Sequence, residues 1–279
     1  MSTPPPVSLP VIAFIGGGNM ARSLIGGLIQ SGADPASIRV AEPADALRAA
    51  LNTDFGVQVF ADAEAASEGA EVWLLAVKPQ VLRAVCESLA GNIQRTRPLL
   101  VSIAAGITSG QIAGWSGGGS AVVRTMPNTP ALLGAGVTGL YANPEVSAAQ
   151  RQIADALLAS AGETVWIEDE ALMDAVTAVS GSGPAYVFLL AEAMQAAGEA
   201  EGLPAAAARQ LSVQTLLGAA RMLSHDDTPA AELRRRVTSP NGTTQAAIEQ
   251  FEADGFRDIV RRAIHAARVR GAELSAAND

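Results

Sequence analysis

The chain has 279 residues, 49% of them hydrophobic and 17% charged, a balance that excludes a disordered polypeptide and predicts one or two domains with a sizeable core. The formal net charge of −9 excludes binding to nucleic acid through a general positive field, so an anionic ligand must find a local positive site. One cysteine, Cys86, and two distant histidines, His225 and His265, exclude an internal disulfide and a metal site of clustered cysteine or histidine.

The start, Met1 to Pro10, is proline-rich and lacks the basic and apolar regions of a secretory signal. Strand and helix patterns then alternate. Val11 to Ile15 reads as a strand, and the helix after it carries Met20, Leu24, Ile25 and Leu28 on one face. Ile38 to Ala41, Val57 to Phe60, Val72 to Val77, Leu99 to Ile103 and Ala121 to Arg124 continue the strand series. Val72 to Val77 is the continuous apolar run of a strand covered on both faces. This order predicts an α/β fold with a parallel, doubly wound sheet. A last strand fits Glu163 to Ile167, and from Glu170 onward the pattern is helical. Helices fit about Pro184 to Glu201, Pro204 to Leu223, Ala230 to Val237, Thr243 to Ala253 and Phe256 to Glu273. The first of these, with Val187, Leu189, Leu190 and Met194, is expected to be buried. The boundary is expected near residue 167, giving an α/β domain over 1–167 and an all-α domain over 168–279. No run of about 18 apolar residues occurs, so a soluble cytoplasmic protein without a membrane partner is expected.

The segment Gly16-Gly17-Gly18-Asn19-Met20-Ala21 follows the first strand and opens the first helix. It is a G-x-G-x-x-A form of the dinucleotide fingerprint: Gly16 for the tight turn, Gly18 for backbone approach to a pyrophosphate, Ala21 for close helix packing. The residue ending the second strand normally reads the adenosine ribose, and here it is Glu42. A carboxylate there accepts from a ribose 2′-hydroxyl and repels a 2′-phosphate, which favours NADH. Arg39 and Arg48 lie close by as candidates for a phosphate, and a plain surface glutamate before Pro43 is the other reading. Ala76-Val77-Lys78-Pro79 ends the fourth strand and should border the same crevice. Lys78 is the only lysine in the chain. It has two readings, as a contact to ribose or carboxylate and as a donor to loop carbonyls. After the next strand, Ile103-Ala104-Ala105-Gly106 is small enough for a flat nicotinamide to lie against it.

In the helical half, Ser180-Gly181-Ser182-Gly183-Pro184-Ala185-Tyr186 precedes the long apolar helix, with Pro184 suited to its first turn. Val237-Thr238-Ser239-Pro240-Asn241-Gly242-Thr243-Thr244 combines a turn with a helix start. Backbone N–H groups at such a start suit a carboxylate, and an ordinary N-cap is the alternative.

Taken together with Arg124-Thr125-Met126-Pro127-Asn128-Thr129-Pro130, these segments resemble the pyrroline-5-carboxylate reductase family, in the family's order and from about Val11 to about Arg270. The resemblance implies an N-terminal Rossmann-like domain and a C-terminal helical domain that interlocks in a homodimer, in many members within a larger ring of dimers. It implies reduction of 1-pyrroline-5-carboxylate to L-proline with NADPH or NADH. Ile15 to Met20, Ala76 to Pro79 and Ile103 to Ala105 would contact the cofactor. Ser239, Asn241, Gly242 and Thr243 would bind substrate, and Thr244 would offer its hydroxyl to the ring nitrogen. Glu170 would line the site. Two positions depart from the family pattern: Ala63 stands where members often have an adenosine-binding asparagine, and Asn241-Gly242 where many have Gly-Gly. Asparagine tolerates the left-handed geometry such a turn needs.

A reductase of a related cyclic imine would use the same residues. A 3-hydroxy acid dehydrogenase shares the plan but places a lysine on the long interdomain helix, and no lysine follows Gly183. A non-catalytic nucleotide sensor is the rival from another class.

Overall fold

The computed structural model describes residues 9–225 and 227–276; the proline-rich residues 1–8 lie outside them. The strands are β1 (Ile12–Ile15), β2 (Ile38–Ala41), β3 (Gln58–Phe60), β4 (Val72–Leu75), β5 (Leu99–Ser102), β6 (Val122–Met126), β7 (Gly136–Ala142) and β8 (Gly162–Trp166). Between and after them lie α1 (Asn19–Gln30), α2 (Asp45–Phe55), α3 (Ala63–Ser67), α4 (Pro79–Thr96), α5 (Ser109–Trp115), α6 (Ala148–Ala159) and α7 (Met173–Val176). The helical tail holds α8 (Gly183–Ala200), α9 (Ala205–His225), α10 (Ala230–Arg236), α11 (Thr243–Ala253) and α12 (Phe256–Ala276).

The sheet has eight strands in the order β3-β2-β1-β4-β5-β6-β7-β8. Every pairing is parallel except β6 with β7, where Arg124 stands opposite Tyr141. The order reverses beside β1, which pairs with β2 on one side and β4 on the other. In β1, Ile12 and Phe14 join the core on one face of the sheet, while Ala13 and Ile15 join the core on the other. All four residues of β1, β4 and β5 are buried, the pattern of strands covered by helices on both faces.

The expected parallel, doubly wound sheet is thus present, with one antiparallel pair added at β7, a strand that carries no clear signal in the sequence. Gly136 and Gly139 give β7 the look of a loop. Packing explains Gly139: a Cβ there would stand 2.5 Å from Val176 Cγ1.

By internal contacts the chain divides into two compact units, one running to Ser182 and resuming at Ala267, the other Gly183–Ala266. The expected boundary near residue 167 falls earlier, at the end of β8. In the second unit the expectation of a buried α8 is corrected. No residue of α8 is buried; Phe188 is 67% and Leu189 65% exposed, and Val187 and Leu190 are exposed too. The apolar pattern calls for burial that the single chain does not supply.

Candidate active site

The fingerprint loop is shaped by backbone. Ile15 O accepts from Ala76 N–H at 2.8 Å and Gly16 N–H donates to Ala41 O at 2.9 Å, tying the loop to both neighbouring strands. Gly16 has φ +105°, and a Cβ there would stand 2.8 Å from Ala76 O, so the position needs glycine. Gly17 is buried with its N–H on Glu42 Oε2 at 3.1 Å. Gly18 is the N-cap of α1, and a Cβ there would meet no heavy atom within 4 Å. Clear space thus lies in front of a twelve-residue helix whose first N–H groups have no intrahelical partner. That cradle fits a pyrophosphate.

Glu42, 8% exposed, accepts from Gly17 N–H and, through its other oxygen, from Ala44 N–H at 3.0 Å. Its carboxylate therefore shapes the loop whatever else it binds. Both nearby arginines are engaged by protein groups: Arg48 on Glu42 O, Pro43 O and Asp45, Arg39 on Glu68 O and over the Phe60 ring.

Ala76 and Val77 leave β4, Lys78 is the N-cap of α4 and Pro79 its first residue. Lys78 is exposed; its carbonyl accepts from Val81 N–H at 3.0 Å, and its ammonium has no hydrogen-bond or ion-pair partner among the described residues. Beyond β5, Ile103 N–H donates to Leu75 O at 3.2 Å, and Ala104 is 4% exposed. The fingerprint, Ala76–Pro79 and Ile103–Ala105 thus sit at the carboxyl ends of three adjacent strands, β1, β4 and β5. Doubly wound sheets bind ligands there, where strand order reverses.

A polar cluster lies farther along the sheet. Arg124, 5% exposed, donates to Glu170 Oε1 at 3.4 Å and to Asp174 Oδ1 at 3.3 Å. Glu170 also accepts from Ser109, at 2.6 Å from the N–H and 2.7 Å from Oγ. Burial first, then the Glu170 and Asp169 carboxylates, push the Tyr141 phenol above its ordinary range and keep it protonated. Asn128 links Ser180 O at 3.1 Å to Val137 N–H at 3.0 Å. Ser180 belongs to a π-helical turn, Thr177–Gly181. Sequence reasoning assigned no role to Ser109, Asp174 or Asn128. The available signal was Arg124 itself, since a charge inside an apolar strand requires carboxylate partners.

In the second unit, Ser239 O accepts from Gly242 N–H at 3.1 Å, and Asn241 has φ +58°. Asparagine thus holds the left-handed position, and its N–H donates to Gln245 Oε1 at 2.7 Å. Gly242 caps α11 without a side-chain hydrogen bond. Thr243 and Thr244 open this eleven-residue helix, so its start offers N–H groups and two hydroxyls. Among the described residues no cluster of metal-binding side chains occurs, and no helix is long and apolar enough to cross a membrane.

A glycine cradle at the switch point of a doubly wound sheet, followed by a helical region, is the plan of a dinucleotide-binding protein. Residues 170–274 match the model for pyrroline-5-carboxylate reductase dimerisation, and residues 11–106 the model described as NADP oxidoreductase, coenzyme F420-dependent. A pyrroline-5-carboxylate reductase of Pseudomonas aeruginosa is 52% identical over 96% of this chain and 98% of its own. The solved structure of a pyrroline-5-carboxylate reductase from Coxiella burnetii has a TM-score of 0.93 and 41% identity, covering 95% of this chain and 98% of that one. The Plasmodium falciparum pyrroline carboxylate reductase with NADP bound has a TM-score of 0.83 and 26% identity, over 96% and 99% of the two chains. The chain belongs to the pyrroline-5-carboxylate reductase family.

Proposed function

We propose that this chain reduces 1-pyrroline-5-carboxylate to L-proline with NAD(P)H, the last step of proline synthesis. Beyond family membership, the α11 start carries this reading. It is a helix N-terminus suited to a carboxylate, with Thr244 one residue inside it.

Reduced nicotinamide, when bound, supplies the hydride. The chain's task is to bind and orient. The α1 start and the Gly16–Gly18 cradle take the pyrophosphate. Ile15, Asn19 and Met20 flank it, Glu42 and Ala76–Pro79 border the ribose side, and Ile103–Ala105 face the nicotinamide. Ser239, Asn241, Gly242 and Thr243 hold the substrate carboxylate through backbone N–H groups and hydroxyls. Thr244 Oγ1 holds the ring nitrogen. A protonated imine is already electrophilic, so the carbon accepts hydride without a strong acid, and a neutral hydroxyl suffices to orient it. The C=N bond becomes C–N, and the proton of the iminium stays on nitrogen.

The same reading makes the protein a cytoplasmic homodimer through its helical region, with rings of dimers as a further assembly. The exposed apolar residues of α8 and the match to a dimerisation model support the dimer.

The test is oxidation of NADH and NADPH, in parallel, by purified protein with pyrroline-5-carboxylate. Turnover that falls by about 10- to 100-fold in Thr244→Ala and largely survives in Thr244→Ser is expected. Absence of turnover with either cofactor would refute the substrate assignment.

A further inference from the structure

The segment assigned to the nicotinamide runs from Ile103 to Thr108, between β5 and α5, and it is anchored at both ends. At the near end, Ile103 N–H donates to Leu75 O at 3.2 Å and Ala104 N–H to Ser102 Oγ at 3.3 Å. Ser102 O in turn accepts from Thr125 Oγ1 at 2.9 Å. At the far end, Ser109 gives two hydrogen bonds to Glu170, one to each carboxylate oxygen, at 2.6 and 2.7 Å. Such charge-assisted pairs fix geometry more firmly than a neutral bond. The buried Arg124 stands behind Glu170 and binds Asp174 as well, so the carboxylate is itself held. Between the anchors lies Gly106 at φ +71°, a left-handed conformation that favours glycine.

We propose that Glu170 is a positioning residue for the nicotinamide, acting through Ser109 to fix Ile103–Thr108, and not a substrate contact. The inference rests on the reading that this segment faces the nicotinamide. Ser109 and Arg124 already supply donors to both oxygens of Glu170.

The consequence is selective. The clamp lies on the β5 side of the crevice, whereas the pyrophosphate cradle belongs to β1 and α1. Loosening it should therefore weaken ligands that contain nicotinamide and spare those that end at the adenine-side ribose. The test compares NADH with ADP-ribose by equilibrium titration of full-length wild type, Glu170→Ala, Glu170→Gln and Ser109→Ala. Loss of a charged hydrogen-bond pair predicts NADH affinity about tenfold or more weaker in Glu170→Ala, with ADP-ribose within about twofold of wild type. Glutamine keeps an acceptor for the Ser109 N–H, and Ser109→Ala removes only the hydroxyl bond. Both should fall between, at about threefold.

Equal loss of NADH and ADP-ribose would overturn the proposal, as would NADH affinity unchanged in all three variants. If Glu170→Ala does not fold, the two milder variants decide by the same criterion. Failure of the functional reading shows separately, as absence of imine turnover in wild type, because the clamp is read from binding alone.

Discussion

The Glu42 carboxylate reaches back 25 residues to accept the Gly17 N–H at 3.1 Å, so the end of β2 holds the middle of the fingerprint loop in place. Its second oxygen takes Ala44 N–H. This role as a loop pin coexists with the reading of Glu42 as the ribose acceptor, since each carboxylate oxygen has two lone pairs. The two roles separate under mutation. In Glu42→Ala the loop loses its pin, and affinity for both cofactors drops. Only the ribose role changes their ratio. Removal of a carboxylate that repels a 2′-phosphate should raise kcat/KM for NADPH relative to NADH about tenfold, or about 1.4 kcal/mol. Parallel kinetics with the two cofactors check this, and an unchanged ratio would leave the pin as the only role.

Gly16 and Gly18 are two residues apart and should fail differently. A methyl at Gly16 meets the Ala76 carbonyl at 2.8 Å, on backbone already at φ +105°. Strain of about 1–3 kcal/mol is expected before the clash is counted. Gly16→Ala should therefore lower the Tm by about 5 °C or more. A methyl at Gly18 meets no protein atom within 4 Å. Gly18→Ala should keep its Tm within about 1–2 °C. It should still lose cofactor affinity by about tenfold or more, because the methyl occupies the pyrophosphate approach. Thermal melts and cofactor titration of the pair distinguish folding loss from binding loss.

Cys86 lies on the buried face of α4 and has no exposed surface. Burial pushes its thiol up to about 11. An unfolded cysteine loses its proton near pH 8.5 to 9. Above that pH the unfolded chain gains stability by ionising while the native thiol stays protonated. Stability is thus full below about pH 9 and falls as pH rises towards 11, by up to roughly 3 kcal/mol. Replacing Cys86 by alanine should flatten this slope in melts between about pH 8 and 10.5, at the cost of a lower Tm throughout from the cavity left behind. An identical pH slope in both proteins would mean that the thiolate is tolerated in the core.

Legibility of the fold followed local signal. β2 could be read to the residue, and β4 and β5, apolar because they are buried on both faces, were read one or two residues long. The start of α11 at Thr243 was equally clear, since turn residues and a helix start adjoin there. β7 was silent because its glycines answer to tertiary neighbours, Gly136 to Ala131 and Gly139 to Val176. The Ser109–Glu170 pair spans 61 residues, and neither residue type announces the other. Arg124 did announce a need for carboxylates, but not which ones. The misreading of α8 has another origin. Its composition is that of a buried helix, and the chain alone leaves it exposed.

That exposure is a prediction in itself. Phe188 and Leu189 on α8, and Leu211, Val213 and Leu217 on α9, leave a large apolar surface on one unit. Soluble monomers rarely carry contiguous apolar patches beyond a few hundred Å². A second copy of the same helices can cover it by self-complementary packing. Wild-type protein should therefore run as a dimer or larger assembly in size exclusion with light scattering. A carboxylate forced into the centre of such an interface costs several kcal/mol. Leu189→Glu should thus weaken the dimer by about 100-fold or more, giving monomer at micromolar concentration. Leu47→Glu provides the control: Leu47 is 45% exposed, but on α2 of the nucleotide-binding unit, and should leave assembly unchanged. A monomeric wild type would refute the dimer, and dissociation by both variants would point to general destabilisation. Loss of the dimer in Leu189→Glu alone would assign the α8 surface to the subunit interface.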